Sequence, residues 1–408
     1  MLHCPSIEGG QVLGGPSLAH AHLRLDRPAA PTAKLEAFLS AHSSETPFVA
    51  IDLDIVAERY GALTDALPEA DVFYAVKANP ARPILDLLVH AGSSFDVASR
   101  NEVQMVLDAG ADPSRISFGN TIKKARDISW AFEQGVRLFA FDAEEELAKL
   151  TEHAPGATVF CRVLCDGSGA DWPLSRKFGC EPEEAARLVV IAAAAGHPVG
   201  VSFHVGSQQR DLTAWDRALA EVAYVADALH DAGHRLAVIN VGGGFPGRYQ
   251  EAMPAIAEYG RAIHDAIVDR MPTYVAAPAR IIAEPGRYLV ADAGVLQTEV
   301  VLVSRKSELD ERRWVYLDCG KFGGLAETMD EAIRYRLRTP HDGGADGPVT
   351  IAGPTCDSAD VLYEKTDYRL PLALTPGDRV ELLSCGAYTT TYSAVGFNGF
   401  APLREHFV

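Results

Sequence analysis

Lys77 lies where an amine could act as a nucleophile. It follows an apolar run from Val72 to Val76 that is typical of a fully buried parallel strand. A low-dielectric interior disfavours the ammonium relative to the neutral amine, and the neutral amine attacks carbonyl carbon. A lysine at a strand end can equally extend into solvent without any chemical role. This run alone leaves both interpretations open.

Two later stretches add groups that bind anions. Gly242, Gly243 and Gly244 follow another apolar run, and successive glycines let backbone amides turn toward a phosphate. Arg287 follows a further run, three residues after Glu284, and an arginine binds phosphate through paired hydrogen bonds. A tight turn would explain the glycines alone, but together with Arg287 they favour a phosphate site. The spacing is not GxGxxG, so no nicotinamide cofactor is predicted.

A histidine and a serine complete this set of side chains. His204 and Ser207 end one more apolar run, where an imidazole could stack on a planar ring and a hydroxyl could bind phosphate. A single histidine at a strand end is more often structural. A lysine, a phosphate cradle and the Glu284 carboxylate nevertheless match the needs of pyridoxal 5'-phosphate, whose aldehyde reacts with an amine and whose ring nitrogen takes an acid partner. We expect this cofactor and no metal, because no Cys/His spacing is typical of zinc.

These residues are separated by a regular alternation of short apolar runs and helical segments. The runs are residues 72–76, 94–97, 116–118, 137–141, 158–164, 199–205, 237–241 and 280–283. Eight βα units in about 240 residues predict an α/β protein with a closed (β/α)8 TIM barrel, although an open doubly wound sheet is an alternative. In a barrel the carboxyl ends of all strands meet on one face. The residues that end the runs would then cluster: Lys77, Asp96, Asn120, Asp142, Arg162, His204, the glycines and Glu284.

The pattern changes near Gly286. Residues 288–303, 314–318, 348–351 and 379–383 are β-rich, and a helix-like stretch occurs only near 327–338. We predict a barrel domain over 45–285 and a mostly antiparallel β domain over 286–408, which strands from residues 1–44 are expected to join.

Composition limits the partners. The net charge is −18, from 37 Lys and Arg against 55 Asp and Glu, which argues against nucleic acid or an anionic membrane. Such a surface would attract a cationic small molecule, and solubility explains it equally well. Seven cysteines without a CxxC pair predict reduced thiols, and the absence of an export signal or membrane-length run predicts a cytoplasmic protein.

The motifs resemble those of the fold-type III pyridoxal-phosphate decarboxylases, the alanine-racemase-like barrel group, and most closely the bacterial ornithine/lysine decarboxylases. The similar stretches run in family order along almost the whole chain after the first forty residues. They are FYAVKANP (73–80), SSFDVASRNE (93–102), SRKFG (175–179), FHVGSQ (203–208), NVGGGFPG (240–247), AEPGRYLV (283–290), GPTCDSADVLY (353–363) and FNGF (397–400).

The resemblance implies a role for each matching residue. Lys77 would bond to the cofactor, His204 would stack on its ring, and Glu284 would pair with the ring nitrogen. The phosphate-binding positions would be Ser207, Gly244, Gly286, Arg287 and Tyr388, and further cofactor contacts would come from Asp96, Arg162 and Gly243. Racemases of this fold have an arginine in place of Glu284, so this carboxylate favours decarboxylation.

The resemblance also implies a homodimer with shared active sites. Cys356 would protonate the α-carbon and Asp357 would bind the distal amine of a basic amino acid, both from the partner subunit. Asp330 is the nearest match for a second acid, and Tyr388 would also border the substrate. Asp357, followed by Asp360, favours a distal ammonium over the distal carboxylate of diaminopimelate.

The expected reaction is decarboxylation of L-ornithine and/or L-lysine to putrescine or cadaverine, as in polyamine biosynthesis. One methylene separates the two substrates, which is worth only about 1 to 3 kcal/mol in a pocket. Alternatives are another basic or modified amino acid, namely arginine, diaminopimelate, carboxynorspermidine or a specialised-pathway intermediate. A non-catalytic regulator on the same scaffold is a further alternative, which the presence of Lys77 and Cys356 disfavours.

Overall fold

The computed structural model describes residues 25–26, 30–42, 45–172, 177–271 and 279–408. Its strands are β1 Leu25–Asp26, β2 Phe48–Ile51, β3 Ala70–Ala75, β4 Ser94–Val97, β5 Ile116–Phe118, β6 Leu138–Phe141, β7 Thr158–Arg162, β8 Ala170–Trp172, β9 Val199–Ser202, β10 Ser207–Gln209, β11 Val238–Asn240, β12 Met253–Pro254, β13 Arg280–Ala283, β14 Gly294–Ser304, β15 Arg313–Leu317, β16 Leu337–Arg338, β17 Asp346–Ala352, β18 Val361–Pro371, β19 Arg379–Leu383 and β20 Arg404–Phe407. Its α-helices are α1 Ala33–Ala41, α2 Leu53–Ala66, α3 Arg82–His90, α4 Arg100–Asp108, α5 Ala125–Glu133, α6 Glu144–His153, α7 Pro182–Ala194, α8 Ala214–Asp231, α9 Ile256–Arg270 and α10 Arg287–Val290.

Eight strands close into a parallel barrel in the order β3, β4, β5, β6, β7, β9, β11 and β13, with β13 pairing back onto β3. Each of the eight predicted runs contains or overlaps one barrel strand, so the predicted TIM barrel is confirmed and the open sheet is excluded. The strands are apolar runs because helices cover the outer face while the inner face fills the barrel axis.

Side chains alternate between these two faces. Phe73, Leu138, Phe160, Val238 and Ile282 form a small cluster inside the barrel. Their immediate neighbours along each strand belong instead to the large core between strands and helices. Because this alternation has a period of two, side chains two or four positions beyond an inward residue also face the axis at the carboxyl end.

The second sheet confirms the predicted β domain. Its order is β16, β19, β14, β15, β17 and β18, with antiparallel pairs except for β15 with β17. Two details differ from the sequence analysis. Residues 288–293, the start of the predicted β-rich stretch, are helical. The predicted helix-like stretch 327–338 is instead a 3₁₀ segment, Ala326–Glu331, followed by β16.

The strand that reaches this sheet from the amino-terminal side is β2, which lies beyond the predicted 1–44 segment. It pairs with β14 and, in parallel, with β20. Within residues 1–44, β1 pairs with β12 beside the barrel, and α1 packs Leu35 and Leu39 against Phe48 of β2. The predicted boundaries at 45 and 286 stay a prediction; residues 1–24, 27–29 and 43–44 are outside the described residues.

The junction between barrel and sheet requires glycine at residue 386. The Gly386 amide donates to Ala291 O at 2.9 Å. A Cβ at residue 386 would lie 1.9 Å from Val290 O, in the main chain of the junction itself. At residue 386 the barrel and the sheet therefore meet through close backbone contact.

We expect Gly386→Ala to lower the free energy of unfolding by roughly 1 to 3 kcal/mol, because a methyl group forces the junction apart. Urea unfolding of the purified variant measures this. Gly61→Ala is the matched control, since Gly61 lies in α2 with nothing within 4 Å of its Cβ position. The control should be neutral or stabilised; equal losses for both variants would contradict the prediction.

Candidate active site

Lys77 lies in a 3₁₀ turn, Val76–Ala78, directly after β3. Two backbone hydrogen bonds fix this turn: Ala75 N donates to Pro285 O and Tyr388 N donates to Ala78 O, each at 2.8 Å. Tyr388 has a positive φ of 56°, a conformation that a side chain rarely adopts without support from its surroundings. The last barrel strand and the β domain therefore both hold the lysine turn in position.

The charge state of Lys77 differs from the one expected from burial alone. Burial lowers the pKa of its ammonium. The nearby carboxylates of Asp96 and Glu284 and the Tyr388 phenol raise this pKa by more than burial lowers it, so the net shift is upward. Burial favours the neutral amine as expected, but the neighbouring charges outweigh it, so the expected neutral amine at Lys77 was wrong. The side chain keeps accessible surface at the carboxyl end of the barrel, so its Nζ is open to a ligand.

Glu284 follows β13 and faces the barrel axis, two residues beyond Ile282. Asn240 Nδ2 donates to Glu284 Oε1 at 2.5 Å. Burial and the neighbouring Asp96 raise the pKa of Glu284 to about 7, against the opposing effects of Asn240 and Lys77. The carboxyl is therefore poised to hold or release a proton near neutral pH.

Asp96 lies between these charges. Its Oδ1 is buried without a hydrogen-bond partner among the described residues, and burial raises its pKa while Lys77 and Arg162 lower it. A Cβ at Gly119 would lie 1.9 Å from this oxygen, so only glycine at that position accommodates the carboxylate. Burial lowers the pKa of Arg162, and Glu284 and Asp96 counteract this. At this barrel end the cations Lys77 and Arg162 therefore lie opposite the carboxyl groups of Asp96 and Glu284.

His204 is neutral in this environment. Burial, with Arg162 and Lys77 close by, lowers its pKa well below the usual value. The Gly206 amide donates to His204 Nδ1 at 3.0 Å, which leaves the ring proton on Nε2. A Cβ at Gly243 would lie 3.2 Å from Nε2, so the glycine keeps the space beside the imidazole open.

The loops after β9 and β11 are tied together around Ser207 and Gly244. Gln208, at a positive φ of 58°, donates through Nε2 to Gly247 O at 2.7 Å and accepts from Gly247 N at 2.9 Å. Gln209 N donates to Gly244 O at 2.9 Å. These bonds set a hydroxyl and a glycine loop side by side, as a phosphate cradle requires.

Arg287 borders the same cradle from the start of α10. It donates to Ser207 Oγ from Nε at 3.2 Å and from Nη2 at 3.1 Å. A Cβ at Gly286 would lie 3.3 Å from Tyr388 Oη, so these residues also share the space. Arg287 is almost fully buried, and its guanidinium forms a bidentate ion pair with Glu327.

The structure thus brings most of the predicted site residues together, but not all. Asn120 Nδ2 donates to Ala98 O at 3.2 Å and Asp142 Oδ2 accepts from Gly179 N at 2.8 Å, so both residues fix loops at the rim. Cys356 and Asp357 lie on the exposed loop between β17 and β18 of the β domain. Asp330 is exposed on the segment before β16.

Three residues of the site were missed by the sequence analysis. Asn240 holds Glu284, Tyr249 accepts from Arg287 Nη1 at 2.9 Å, and Glu327 pairs with Arg287. Asn240 could have been found, because it begins the NVGGG motif and follows the last inward residue of β11 by two positions. The other two depend on contacts between distant parts of the chain.

Comparison with known proteins places this geometry in a family. Residues 53–291 match the family model of the pyridoxal-dependent decarboxylases, pyridoxal binding domain. The chain belongs to the pyridoxal-dependent decarboxylases. This decarboxylase is 37% identical over 357 residues to the lysine/ornithine decarboxylase of Selenomonas ruminantium, covering 87% of this chain and 88% of the relative.

Solved structures agree with the assignment. The Selenomonas ruminantium lysine decarboxylase, SrLDC, crystallised with PLP and cadaverine, has a TM-score of 0.81 at 34% identity and covers 94% of this chain and 95% of its own. The Paramecium bursaria Chlorella virus arginine decarboxylase bound to agmatine has a TM-score of 0.81 at 29% identity, covering 91% and 100%. The cofactor predicted from the sequence, pyridoxal 5'-phosphate, is confirmed.

The residues at the barrel end fit this cofactor. Gly243 and Gly286 keep side chains out of this barrel end. A Cβ at residue 243 would lie 2.5 Å from Glu284 O and 3.2 Å from His204 Nε2, and one at residue 286 would lie 3.1 Å from Ala78 Cβ and 3.3 Å from Tyr388 Oη. The unpartnered Asp96 Oδ1 faces the same cluster of charges. Within the described residues, no helix is long and apolar enough to span a bilayer, and no group of three metal-binding side chains occurs.

Glu284→Gln should change how stability depends on pH in the decarboxylase stripped of cofactor. Protonated Glu284 contributes stability that is complete below its ordinary pKa of 4.5 and is lost as the pH rises through about 7. Glutamine does not titrate, so the variant does not lose this stability as the pH rises. Its unfolding free energy relative to wild type should therefore rise by roughly 1 to 3 kcal/mol between about pH 5 and pH 8.

Urea unfolding at several pH values measures the difference. Glu331→Gln is the matched control, because hydrogen bonds from Thr366 and neighbouring amides outweigh burial and lower the pKa of Glu331 to about 2. The stability from Glu331 is present above its ordinary pKa of 4.5 and is lost only as the pH falls through about 2. That control should therefore show a constant difference over this range. A constant difference for Glu284→Gln would refute the pKa assignment.

Proposed function

We propose that this decarboxylase converts L-ornithine and/or L-lysine to putrescine and/or cadaverine, with release of carbon dioxide. The observation that carries the proposal is the shared location of Lys77, Glu284 and the Ser207–Arg287 pair at one barrel end. The similarity to a lysine/ornithine decarboxylase supports the substrate class. The free thiols of the described cysteines are consistent with a reducing, cytoplasmic location.

Lys77 Nζ is the amine that bonds to the cofactor, and Glu284 holds a proton at the ring nitrogen. Pyridoxal phosphate supplies the electron sink for the electron pair that remains when the carboxylate leaves. A carboxyl with a pKa near 7 suits a shared proton, and Asn240 fixes its orientation. Asp96 and Arg162 balance the charges around these two groups.

His204 and the loops around it bind the cofactor without covalent chemistry. A neutral imidazole stacks on the ring without placing a second cation beside Lys77. The phosphate is bound by the Ser207 hydroxyl, the Tyr388 phenol and the amides of Gly244 and Gly286. Arg287 holds the Ser207 hydroxyl and borders the Tyr388 ring, and Gly243 lies beside the imidazole.

Two exposed carboxylates bind the distal ammonium of the substrate, and Tyr388 borders it. Within the segment Ala326–Glu331, Glu327 is bound to Arg287 and Glu331 accepts three backbone amides, so Asp330 is the acid left exposed. It lines a cavity of about 280 Å³ that also reaches Gln208 and Tyr249. Asp357 is the second acid, from the partner subunit.

A homodimer completes the site. Cys356 is exposed, and its amide donates to Asn398 Oδ1 at 2.9 Å. The loop that contains Asn398 also exposes Tyr392, Val395, Phe397 and Phe400, with 86% of Val395 accessible. Exposed apolar side chains in one loop mark an interaction surface. A second copy bound there brings Cys356 to the substrate of its neighbour, where the thiol gives a proton to the α-carbon.

The first test supplies pyridoxal phosphate with ornithine, lysine or arginine and quantifies putrescine, cadaverine and agmatine. We expect a diamine from ornithine, lysine or both. Lys77→Ala should lose the visible absorbance of the bound cofactor and reduce turnover roughly 1,000-fold or more. Lys306→Ala, at an exposed position in the β domain, should behave as wild type.

Agmatine alone would assign the arginine alternative, in line with the similarity to an arginine decarboxylase. Cofactor binding without any amine product would favour the non-catalytic regulator and end the proposal.

The second test mixes two inactive variants to examine the dimer. Lys77→Ala lacks the amine of its own site, and Cys356→Ala lacks the thiol given to its neighbour. Random exchange makes half of the dimers mixed, each with one intact site, so activity should recover to about a quarter of wild type. No recovery, despite subunit exchange shown by mass spectrometry, would contradict a site shared across the dimer.

A further inference from the structure

Arg287, in the helix that directly follows the last barrel strand, is held by a carboxylate from a distant segment of the β domain. Nη1 donates to Glu327 Oε2 and Nη2 donates to Glu327 Oε1, both at 2.6 Å, in a fork-to-fork contact. The two side chains are 3% and 7% exposed. Arg287 follows the last barrel strand, whereas Glu327 lies between β15 and β16 of the β domain.

The remaining donors of Arg287 point to Tyr249 and Ser207. Nη1 also donates to Tyr249 Oη at 2.9 Å, while Nε and Nη2 both donate to Ser207 Oγ. Since Ser207 Oγ accepts two hydrogen bonds from the guanidinium, its own proton is left to donate elsewhere. The guanidinium thus orients a hydroxyl donor toward the phosphate cradle.

We propose that Glu327 is a positioning residue for phosphate binding, which acts through Arg287 to orient the Ser207 hydroxyl. The inference rests on the proposed function, because it takes this cradle as the phosphate site. Its new content is that an acid of the β domain determines how the barrel recognises an anion.

A carboxylate near a phosphate site needs a physical reason, because it repels the anion. Glu327 cancels the charge of Arg287, so the pair attracts the phosphate little by net charge. What it supplies is direction, because a bidentate contact fixes the plane of the guanidinium. Glutamine in its place would keep one acceptor and turn an NH₂ group toward an arginine donor, which rotates the guanidinium away from Ser207.

The same segment provides a matched control. Glu331 is also buried, but its carboxylate accepts from the amides of Glu364, Lys365 and Thr366 rather than from an arginine. Glu331→Gln therefore disturbs the fold of this segment without touching Arg287. Tyr249→Phe removes the second acceptor of Nη1 and keeps the aromatic ring.

The experiment compares the binding of pyridoxal phosphate and pyridoxal, which lacks the phosphate, to dialysed wild type, Glu327→Gln and Glu331→Gln. Absorbance titration gives each dissociation constant. We expect Glu327→Gln to weaken pyridoxal phosphate binding at least about tenfold, as for a hydrogen bond to a charged group. Its binding of pyridoxal should be unchanged. Glu331→Gln should leave the ratio of the two constants at the wild-type value.

An equal loss for both compounds, or a retained preference for the phosphate, would overturn the inference. Should Glu327→Gln fail to fold by circular dichroism, Glu327→Asp serves instead, because its shorter carboxylate keeps the charge but withdraws from the guanidinium. It too should weaken only the phosphate form. Failure of the proposed function is distinguishable, since wild type itself would then show no preference for pyridoxal phosphate over pyridoxal.

Discussion

Closure of eight parallel strands is the constraint on which the site depends. In a closed barrel every second side chain points to one axis, and the carboxyl ends bring the last inward residues within reach of one another. Arg162 follows Phe160 by two positions, and Glu284 follows Ile282 in the same way. Residues far apart in sequence therefore meet without any loop having to fold specifically to join them.

Concentrating charge at one end has an electrostatic cost that pairing offsets. Lys77 and Arg162 face Asp96 and Glu284, and each opposite charge offsets part of the cost of burial. The offset exceeds that cost only at Lys77, since the pKa values of Asp96 and Glu284 are still raised and that of Arg162 is still lowered. The balance between burial and neighbouring charges also sets the protonation state of each group. The net pKa shift is upward for Lys77, because its acidic neighbours outweigh burial, and downward for His204, because burial and then Arg162 and Lys77 all lower it. The same local field thus keeps a cation and a neutral imidazole side by side.

The barrel was predictable from sequence because buried strands are continuous apolar runs that end at recognisable polar residues. The β domain was less predictable from its sequence. β18, at the edge of its sheet, alternates apolar with charged residues and was not predicted, since edge strands expose one side to water. Residues 288–293 were predicted as strand because they are mostly apolar, but they form largely buried helical turns between β13 and β14.

Site residues were predictable where they end a strand and not where they depend on packing between domains. The Arg287–Glu327 pair joins residues forty positions apart. No periodicity in either segment indicates the contact, and the segment around Glu327 offers three acids of similar appearance. Only their partners distinguish them: a guanidinium for Glu327, backbone amides for Glu331 and solvent for Asp330.

The barrel alone does not form the cofactor site. The barrel supplies the lysine and the ring-facing acid, whereas the β domain supplies the carboxylate that fixes Arg287 and the backbone amide of Tyr388 that secures the Lys77 turn. Gly386, two residues before Tyr388, is packed against the main chain of Val290 and Gly294, in the junction between β13 and β14. A shift of one domain against the other would therefore move the lysine turn and the phosphate cradle together. Close backbone contact at the junction, which only glycine permits, is thus part of how the cofactor site is held in shape.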